Sequence, residues 1–437
     1  MKKLFTFLGT FIISTLAADQ AFIAKNTANA CEEICEKPCK TKCCPTPPEP
    51  ICTESYLPSY YDLQCDAGVY LYGDFLYWFA NEDNLSPCMT VRGSNTTLVE
   101  TAPTTATSFA YYTLSLVEVN HLHTKWEPGF RAALGFNFNC DGWDLEANYT
   151  WFRNRKHRTF SVPGFGIPAV DIPFRIGQNA ITPDQGQLAL VDPWINTTLY
   201  DQFFPYGTFL FDKVSSQWNL HFNQVDLDLG NKFWIKRSMA MRCYVGVRGA
   251  WITTNFINVA SSLTNDDFYV HNTFSDNFRN HIWGVGLLGG IQPEWHFCRN
   301  FILFSNLDGA LLWGKFRVRK QEDYASFGTF GSQSINYHNH SFSNFLKLQA
   351  VMDLTLGLRW EKTWCYRVRT YLDFGWENHI WFDINNRYKL AGSSESFFSQ
   401  SPRVVSVNPN TVKVQSYEEE QGNLMLGGAF VRFRIDF

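Results

Sequence analysis

The stretch Phe430-Val431-Arg432-Phe433-Arg434-Ile435-Asp436-Phe437 decides the fold. Successive side chains of an extended chain point to opposite faces, so Val431, Phe433, Ile435 and Phe437 fall on one side and Arg432, Arg434 and Asp436 on the other. One face is wholly apolar and the other carries three charges. That is the division expected of a strand with hydrocarbon on one side and water on the other. A soluble sheet packed on a core alternates in the same way, so the decision needs the rest of the chain.

The same grammar recurs upstream. Phe130, Ala132, Leu134, Phe136 and Phe138 alternate with Arg131, Ala133, Gly135, Asn137 and Asn139. The chain turns at Asp141-Gly142, a tight-hairpin dipeptide. It returns with Trp143, Leu145, Ala147, Tyr149 and Trp151 opposite Asp144, Glu146, Asn148 and Thr150. Further runs set Met241, Cys243, Val245, Val247, Gly249 and Trp251 against Arg242, Tyr244 and Arg248. Leu346, Leu348, Ala350, Met352, Leu354, Leu356, Leu358 and Trp360 oppose Lys347, Gln349, Asp353 and Arg359, and Tyr366, Val368, Leu372, Phe374 and Trp376 oppose Arg367, Arg369, Asp373 and Glu377. These runs exceed the ~5 to 6 residues of a soluble strand and suit tilted strands that cross a membrane in ~9 to 11.

The pattern predicts an all-β, antiparallel transmembrane barrel over 68–437. Ten strands are read, at 68–80, 120–139, 143–153, 218–230, 239–252, 281–296, 300–319, 345–360, 365–382 and 423–437. Short turns near 140–142, 231–238, 297–299 and 361–364 alternate with long connections, as they do in outer-membrane barrels. The long intervals 81–119, 154–217 and 383–422 each have room for another hairpin, giving a range of 10 to 16. One strand changes register: Leu220 and Phe222 are apolar at even positions, but Val225, Leu227 and Leu229 at odd ones. A β-bulge near Asn223 is expected there.

Lys2 and Lys3 before an apolar run from Leu4 to Ala18, then Ala28-Asn29-Ala30, predict a secretory signal over 1–30 with cleavage after Ala30. Cys31 follows, but a lipid-attachment box wants Leu three residues earlier, where Ala28 stands. No later window reaches the ~18 to 20 apolar residues of a spanning helix. Aromatic residues make up 17% of the chain and charged residues only 18%, below the ~25% usual in globular domains. Apolar residues at 45% with a mean hydropathy of −0.21 fit strands whose two faces average out. A net charge of −4 argues against a nucleic-acid partner. Phe433, Ile435 and Phe437 resemble the terminal signature read by the bacterial barrel-assembly machinery, which is expected as a partner beside outer-membrane lipid and lipopolysaccharide.

Gly68-Val69-Tyr70-Leu71-Tyr72-Gly73-Asp74-Phe75-Leu76-Tyr77-Trp78-Phe79-Ala80, continuing to Leu85, resembles the legionella-type and chlamydia-like major outer membrane proteins. So do the hairpin from Trp126-Glu127-Pro128-Gly129-Phe130 to Tyr149-Thr150-Trp151-Phe152, the run Val225-Asp226-Leu227-Asp228-Leu229-Gly230 and the terminal strand. The resemblance covers most of 68–437 and implies a pore-forming outer-membrane barrel, with no cofactor and no active site to carry over. On that reading Arg131, Asn137, Asp144, Glu146, Arg242, Arg248, Lys347, Asp353, Arg359, Arg367, Arg369, Asp373, Glu377, Arg432 and Arg434 line a water-filled channel for small solutes and ions. Neither charge sign dominates, so the ion preference is open. Ten strands are narrow for a pore, since eight are already filled by side chains. A cross-strand salt-bridged plug is therefore the competing reading. A structural or adhesive surface protein with a closed barrel and ligand-binding loops is the alternative function.

Seven of the twelve cysteines, Cys31, Cys35, Cys39, Cys43, Cys44, Cys52 and Cys65, crowd into a Pro-rich segment at 31–67, read as an irregular periplasmic tail. With Cys140, Cys243, Cys298 and Cys365 they face one oxidising compartment, and only Cys88 lies outside. Two readings stand: disulfides from the tail to the barrel's turns or to Cys-rich envelope proteins, or a self-contained knot with one partner on the barrel. Zinc would want paired Cys-x-x-Cys spacing, which the four-residue steps lack. His121 and His123, and His338 and His340, have a spacing that puts both rings of a pair on one strand face, but no carboxylate or Cys accompanies them, so no metal site is assigned. The basic run Arg153-Asn154-Arg155-Lys156-His157-Arg158 reads as an outer-rim cluster facing lipopolysaccharide phosphates. A homo-oligomer is compatible with everything above.

Overall fold

The computed structural model describes residues 68–102, 105–138, 142–162, 188–194, 211–236, 238–263, 270–298, 300–328, 335–364, 368–392 and 415–437. Ten antiparallel strands close a barrel: β1 (Gly68–Glu82), β4 (Trp126–Asn137), β5 (Trp143–Ser161), β7 (Lys213–Lys236), β8 (Met239–Leu263), β9 (Val270–Cys298), β10 (Phe301–Gly328), β11 (Ile335–Trp364), β12 (Val368–Gly392) and β13 (Gln415–Asp436). The ring runs β1-β13-β12-β11-β10-β9-β8-β7-β5-β4 and back to β1. Closure pairs every edge, as a bilayer demands of backbone polar groups. The interval 81–119 does hold a further hairpin, β2 (Met89–Ala102) and β3 (Thr105–Val119), but it stays out of the ring. With the short β6 (Leu188–Val191) it forms a separate sheet of order β3-β2-β6.

The alternation read from sequence is the alternation observed. Leu134, Val245, Leu287, Leu356 and Phe374 are exposed on the outer wall, where lipid covers them, while Asp74, Arg248, Asp353 and Asp373 are buried inside. At the first hairpin Gly142 takes φ +73°, and its carbonyl accepts the amide of Lys232 at 2.7 Å. A Cβ there would sit 2.4 Å from the Lys232 carbonyl oxygen, so both conformation and space require glycine.

Several strand boundaries move. The second barrel strand, β4, starts at Trp126, not 120, and β12 starts at Val368, after 365–367, which lie outside the described residues. The bulge expected near Asn223 is not there: β7 pairs in unbroken register with β5 and β8 through that point. Leu220 and Phe222 stay at even positions and point inward, as do Trp218 and Val214. The register change in the sequence marks a change in what fills the barrel, not a fault in the strand. The observed shift on β12 lies between Trp381 and Asn385, where Asp383 has φ +49°.

The strands are far longer than a bilayer needs. β9, β10 and β11 run for 29, 28 and 30 residues, against 15 and 12 for β1 and β4. Because the periplasmic turns are short, the surplus over ~9–11 residues rises as a one-sided wall outside the membrane. The small sheet docks inside that wall. Cys88, Leu190 and Phe211 pack with Phe160, Val214, Ala260, Phe274 and Tyr324 in one apolar cluster.

Candidate functional site: the barrel lumen

The inward positions form three layers. In the periplasmic layer, charged residues of different strands pair across the lumen. Asp74 of β1 accepts Arg432 of β13 at 2.8 Å and Arg131 of β4 at 3.0 Å. Arg131 reaches on to Glu377 of β12 at 3.1 Å. His379 lies between Glu377, at 3.6 Å, and Asp353, at 2.8 Å. Asp353 of β11 is bound at 2.6 Å by Arg248 of β8, which also holds Asp226 of β7 at 2.8 Å. Arg359 bridges Asp373 and Glu294, each at 2.9 Å, and Arg242 bridges Asp144, at 2.7 Å, and Asp228.

Tyrosines complete this layer. The Tyr70 hydroxyl donates to Asp144 at 3.1 Å, and the guanidinium of Arg434 stacks 3.7 Å from the Tyr70 ring centre. Arg432 covers Tyr72 in the same way at 4.1 Å. Small residues make room: a Cβ on Gly135 would fall 1.9 Å from the Tyr70 ring, and one on Gly290 2.5 Å from the Tyr244 ring. Alternating large and small inward residues is how a narrow barrel is packed. What remains is a polar cavity of about 140 Å³.

Above it lies an apolar layer. Leu76 and Trp78 of β1, Phe152 of β5, Leu220 and Phe222 of β7, Ile252 of β8, Ile282 of β9, Leu312 of β10, Val351 of β11, Trp381 of β12 and Leu426 and Phe430 of β13 form one buried cluster. Every barrel strand but β4 contributes, and on β4 Gly129 packs against Phe152 and Leu76. Phe222 and Trp381 meet at a ring-centroid separation of 5.6 Å. Their strands, β7 and β12, are five places apart in either direction around a ten-strand ring. The contact therefore crosses the full diameter.

A third layer caps the outer end. Glu82 accepts Arg387 at 2.8 Å and the indole N–H of Trp218. The 188–194 segment enters here. Trp194 donates to the Ser86 carbonyl at 2.8 Å, sits under Arg387 at 4.9 Å and packs on Phe278 at 5.5 Å. Lys320 donates to the Trp194 carbonyl at 2.9 Å.

The positions expected to line a channel line the polar cavity, with three exceptions. Asp373 is inward but fully buried behind Arg359. Lys347 lies on the inward face near the outer mouth, donating to the Asp383 carbonyl at 2.9 Å. Arg367 lies outside the described residues. Sequence reading missed the whole apolar layer and the cap; Trp78, Phe222, Trp381, Glu82, Lys320 and Arg387 were the residues to find. The register change in β7 was the available signal.

Cys88 is buried and has no disulfide partner among the described residues, and burial pushes its thiol up to about 12. Cys243 is half-buried on the outer face of β8 and also has no disulfide partner among the described residues. Cys298 ends β9. Cys31, Cys35, Cys39, Cys43, Cys44, Cys52, Cys65, Cys140 and Cys365 lie outside the described residues. Among the described residues no three His, Cys, Asp or Glu side chains are grouped to hold a metal. His338 is exposed and hydrogen-bonded to Asp323 at 2.6 Å.

Residues 75–437 match the family described as Legionella pneumophila major outer membrane protein precursor. The chain belongs to that family. It is an outer-membrane protein, and the ten-strand ring is the form the family's fold takes here. Solved structures similar to it include the outer membrane protease OmpT from Escherichia coli, at 10% identity and a TM-score of 0.29, covering 85% of this chain and 96% of that one. The P. putida toluene transporter TodX aligns at 7% identity and a TM-score of 0.20, covering 88% and 92%. A Pseudomonas aeruginosa FadL homologue aligns at 6% and 0.19, covering 85% and 90%. No curated protein sequence matches the chain. At these identities the neighbours' proteolysis and transport are not carried over.

Proposed function

We propose that this member of the family is a closed structural barrel that strengthens the outer membrane and presents its tall wall and small sheet at the surface, without catalysis. The contact of Phe222 with Trp381 across the diameter carries the reading. Inward side chains bordering a water column would be wet, yet Trp78, Leu220 and Leu426 have 0% accessible surface and Phe222 and Trp381 1%. The decisive measurement is single-channel recording of the purified protein in planar bilayers. A sealed bilayer at all voltages is expected; discrete, water-like steps from the wild type would overturn the reading.

The polar cavity favours a second reading, a channel for small hydrophilic solutes and ions. Its lining carries both charge signs at the periplasmic end of the lumen. For conduction the apolar layer would have to part, and the same recordings would show it. The cysteine-rich 31–67 tail extends the structural proposal: disulfides to periplasmic turns or to other envelope proteins would tie the barrel into the envelope. On non-reducing gels of isolated envelopes, a high-mass species that collapses to monomer with thiol is expected. A monomer indifferent to thiol would rule out intermolecular bridging.

A further inference from the structure

The outer wall carries a cationic patch assembled from strands far apart in sequence. Strand pairing places Arg153, His221, Thr253, His281 and Arg317 side by side on β5, β7, β8, β9 and β10. The next outward-facing row up is Arg155, Asn219, Asn255, Arg279 and Arg319. The row below is Trp151, Asn223, Trp251, Trp283 and Lys315, so the cations stand directly above the aromatic residues that mark the membrane interface. The run at 153–158 is thus split by the strand's alternation. Arg153, Arg155 and His157 face out, whereas Lys156 and Arg158 turn inward.

Charge balance is one-sided. No carboxylate shares these rows, and among the described residues none pairs with Arg153, Arg279, Arg317 or Arg319. On the far side of the ring the outward positions just above Trp376 are Asn378 and Ile380, without a cation. One edge of the patch is concave. A groove of about 550 Å³ crosses β10 between Arg279, Arg319 and His340, with Phe342, 77% exposed, on its border.

We propose that this face binds an outer-leaflet glycolipid through its phosphates, of lipopolysaccharide type. The guanidinium rows grip the phosphates, since planar forked donors match phosphate oxygens. Trp151, Trp251 and Trp283 take the acyl chains below, and Phe342 packs on the sugar. Alternating cations and aromatics at headgroup height suit an amphiphile anchored in the membrane and not a soluble acidic protein. The site is on the outer wall, so it is independent of whether the lumen conducts.

The test is native mass spectrometry of the full-length, detergent-folded protein titrated with diphosphoryl lipid A, with heat-modifiable gel migration to confirm folding. Wild type is expected to retain the lipid. R153Q/R279Q/R317Q/R319Q should bind about tenfold more weakly or worse. The four-Lys version, which keeps charge, should recover part of the loss, and N378Q on the opposite face should bind like wild type. Equal retention by wild type and the four-Gln variant would overturn the proposal. Binding of inorganic phosphate as tight as that of diphosphoryl lipid A would also overturn it, showing an anion site with no use for the lipid. Should the four-Gln variant misfold, paired R279Q/R319Q at the groove carries the same comparison.

Discussion

In the periplasmic part of the lumen Arg131, Arg242, Arg248, Arg359 and Arg432 each find carboxylates on other strands; one layer further out, the positions facing the same axis hold Trp78, Phe152, Phe222 and Trp381. Both layers fill the same narrow cylinder, but they fill it with different physics. An ion-paired layer is held by directional contacts and leaves gaps where geometry is imperfect, here a cavity of about 140 Å³. An apolar layer has no directional demands and packs to exclusion of water. The first leaves polar space in the folded barrel; the second leaves its side chains with almost no accessible surface.

The largest expected effect comes from breaking the apolar layer. F222A/W381A removes the rings that meet across the diameter, and planar bilayers should pass from no discrete steps to clear ones. Each truncation should also destabilise by about 3–5 kcal/mol. If the folded double variant stays electrically silent, the closure belongs to the cap at Trp194 and not to this layer.

The ion-paired layer should respond in stability instead of conductance. Asp74→Ala strands Arg131 and Arg432 beside a lost partner, and loss of one member of a buried pair is worth about 3–5 kcal/mol. Urea unfolding in lipid vesicles would show it, with conductance unchanged. A loss below ~1 kcal/mol would mean that water already screens this layer. On the other face of the same wall, Leu227→Arg puts a charge into hydrocarbon, with an expected penalty of about 2–4 kcal/mol in the same assay.

The smallest effect concerns the cap. Asp192 accepts the Trp194 amide at 2.9 Å and Asn258 at 2.6 Å, and burial pushes its carboxyl up to about 7. A carboxyl raised above its unfolded value near 4 stabilises the docked segment as pH falls from about 7 towards 4, and that stabilisation is lost as pH rises through 7. The protection of the 188–194 amides relative to their intrinsic exchange rate should therefore rise on acidification across that window. Asp192→Asn should flatten the response; an unchanged profile would assign it to another group.

Much of the barrel was legible because period-2 alternation is a local property. Leu145 against Asp144 and Leu358 against Arg359 need no knowledge of neighbours to be sorted into lipid and lumen. The contents of the lumen were legible only where they were charged. Leu220 and Phe222 looked like a slipped register, because an apolar residue facing inward contradicts a rule that assumes a wet interior. Nothing local could say that the strand was straight and that this layer of the interior was apolar.

The sequence by itself determined the ring: ten alternating segments, short turns such as that at Gly142, and which face of each strand meets lipid, since side-chain direction follows from backbone pleat alone. Only the tertiary structure decided what the ring contains and wears. Phe222 meets Trp381, Arg248 meets Asp353 and Arg153 joins Arg279 and Arg317 because closure brings together strands separated by scores of residues, and closure is a property of all ten at once.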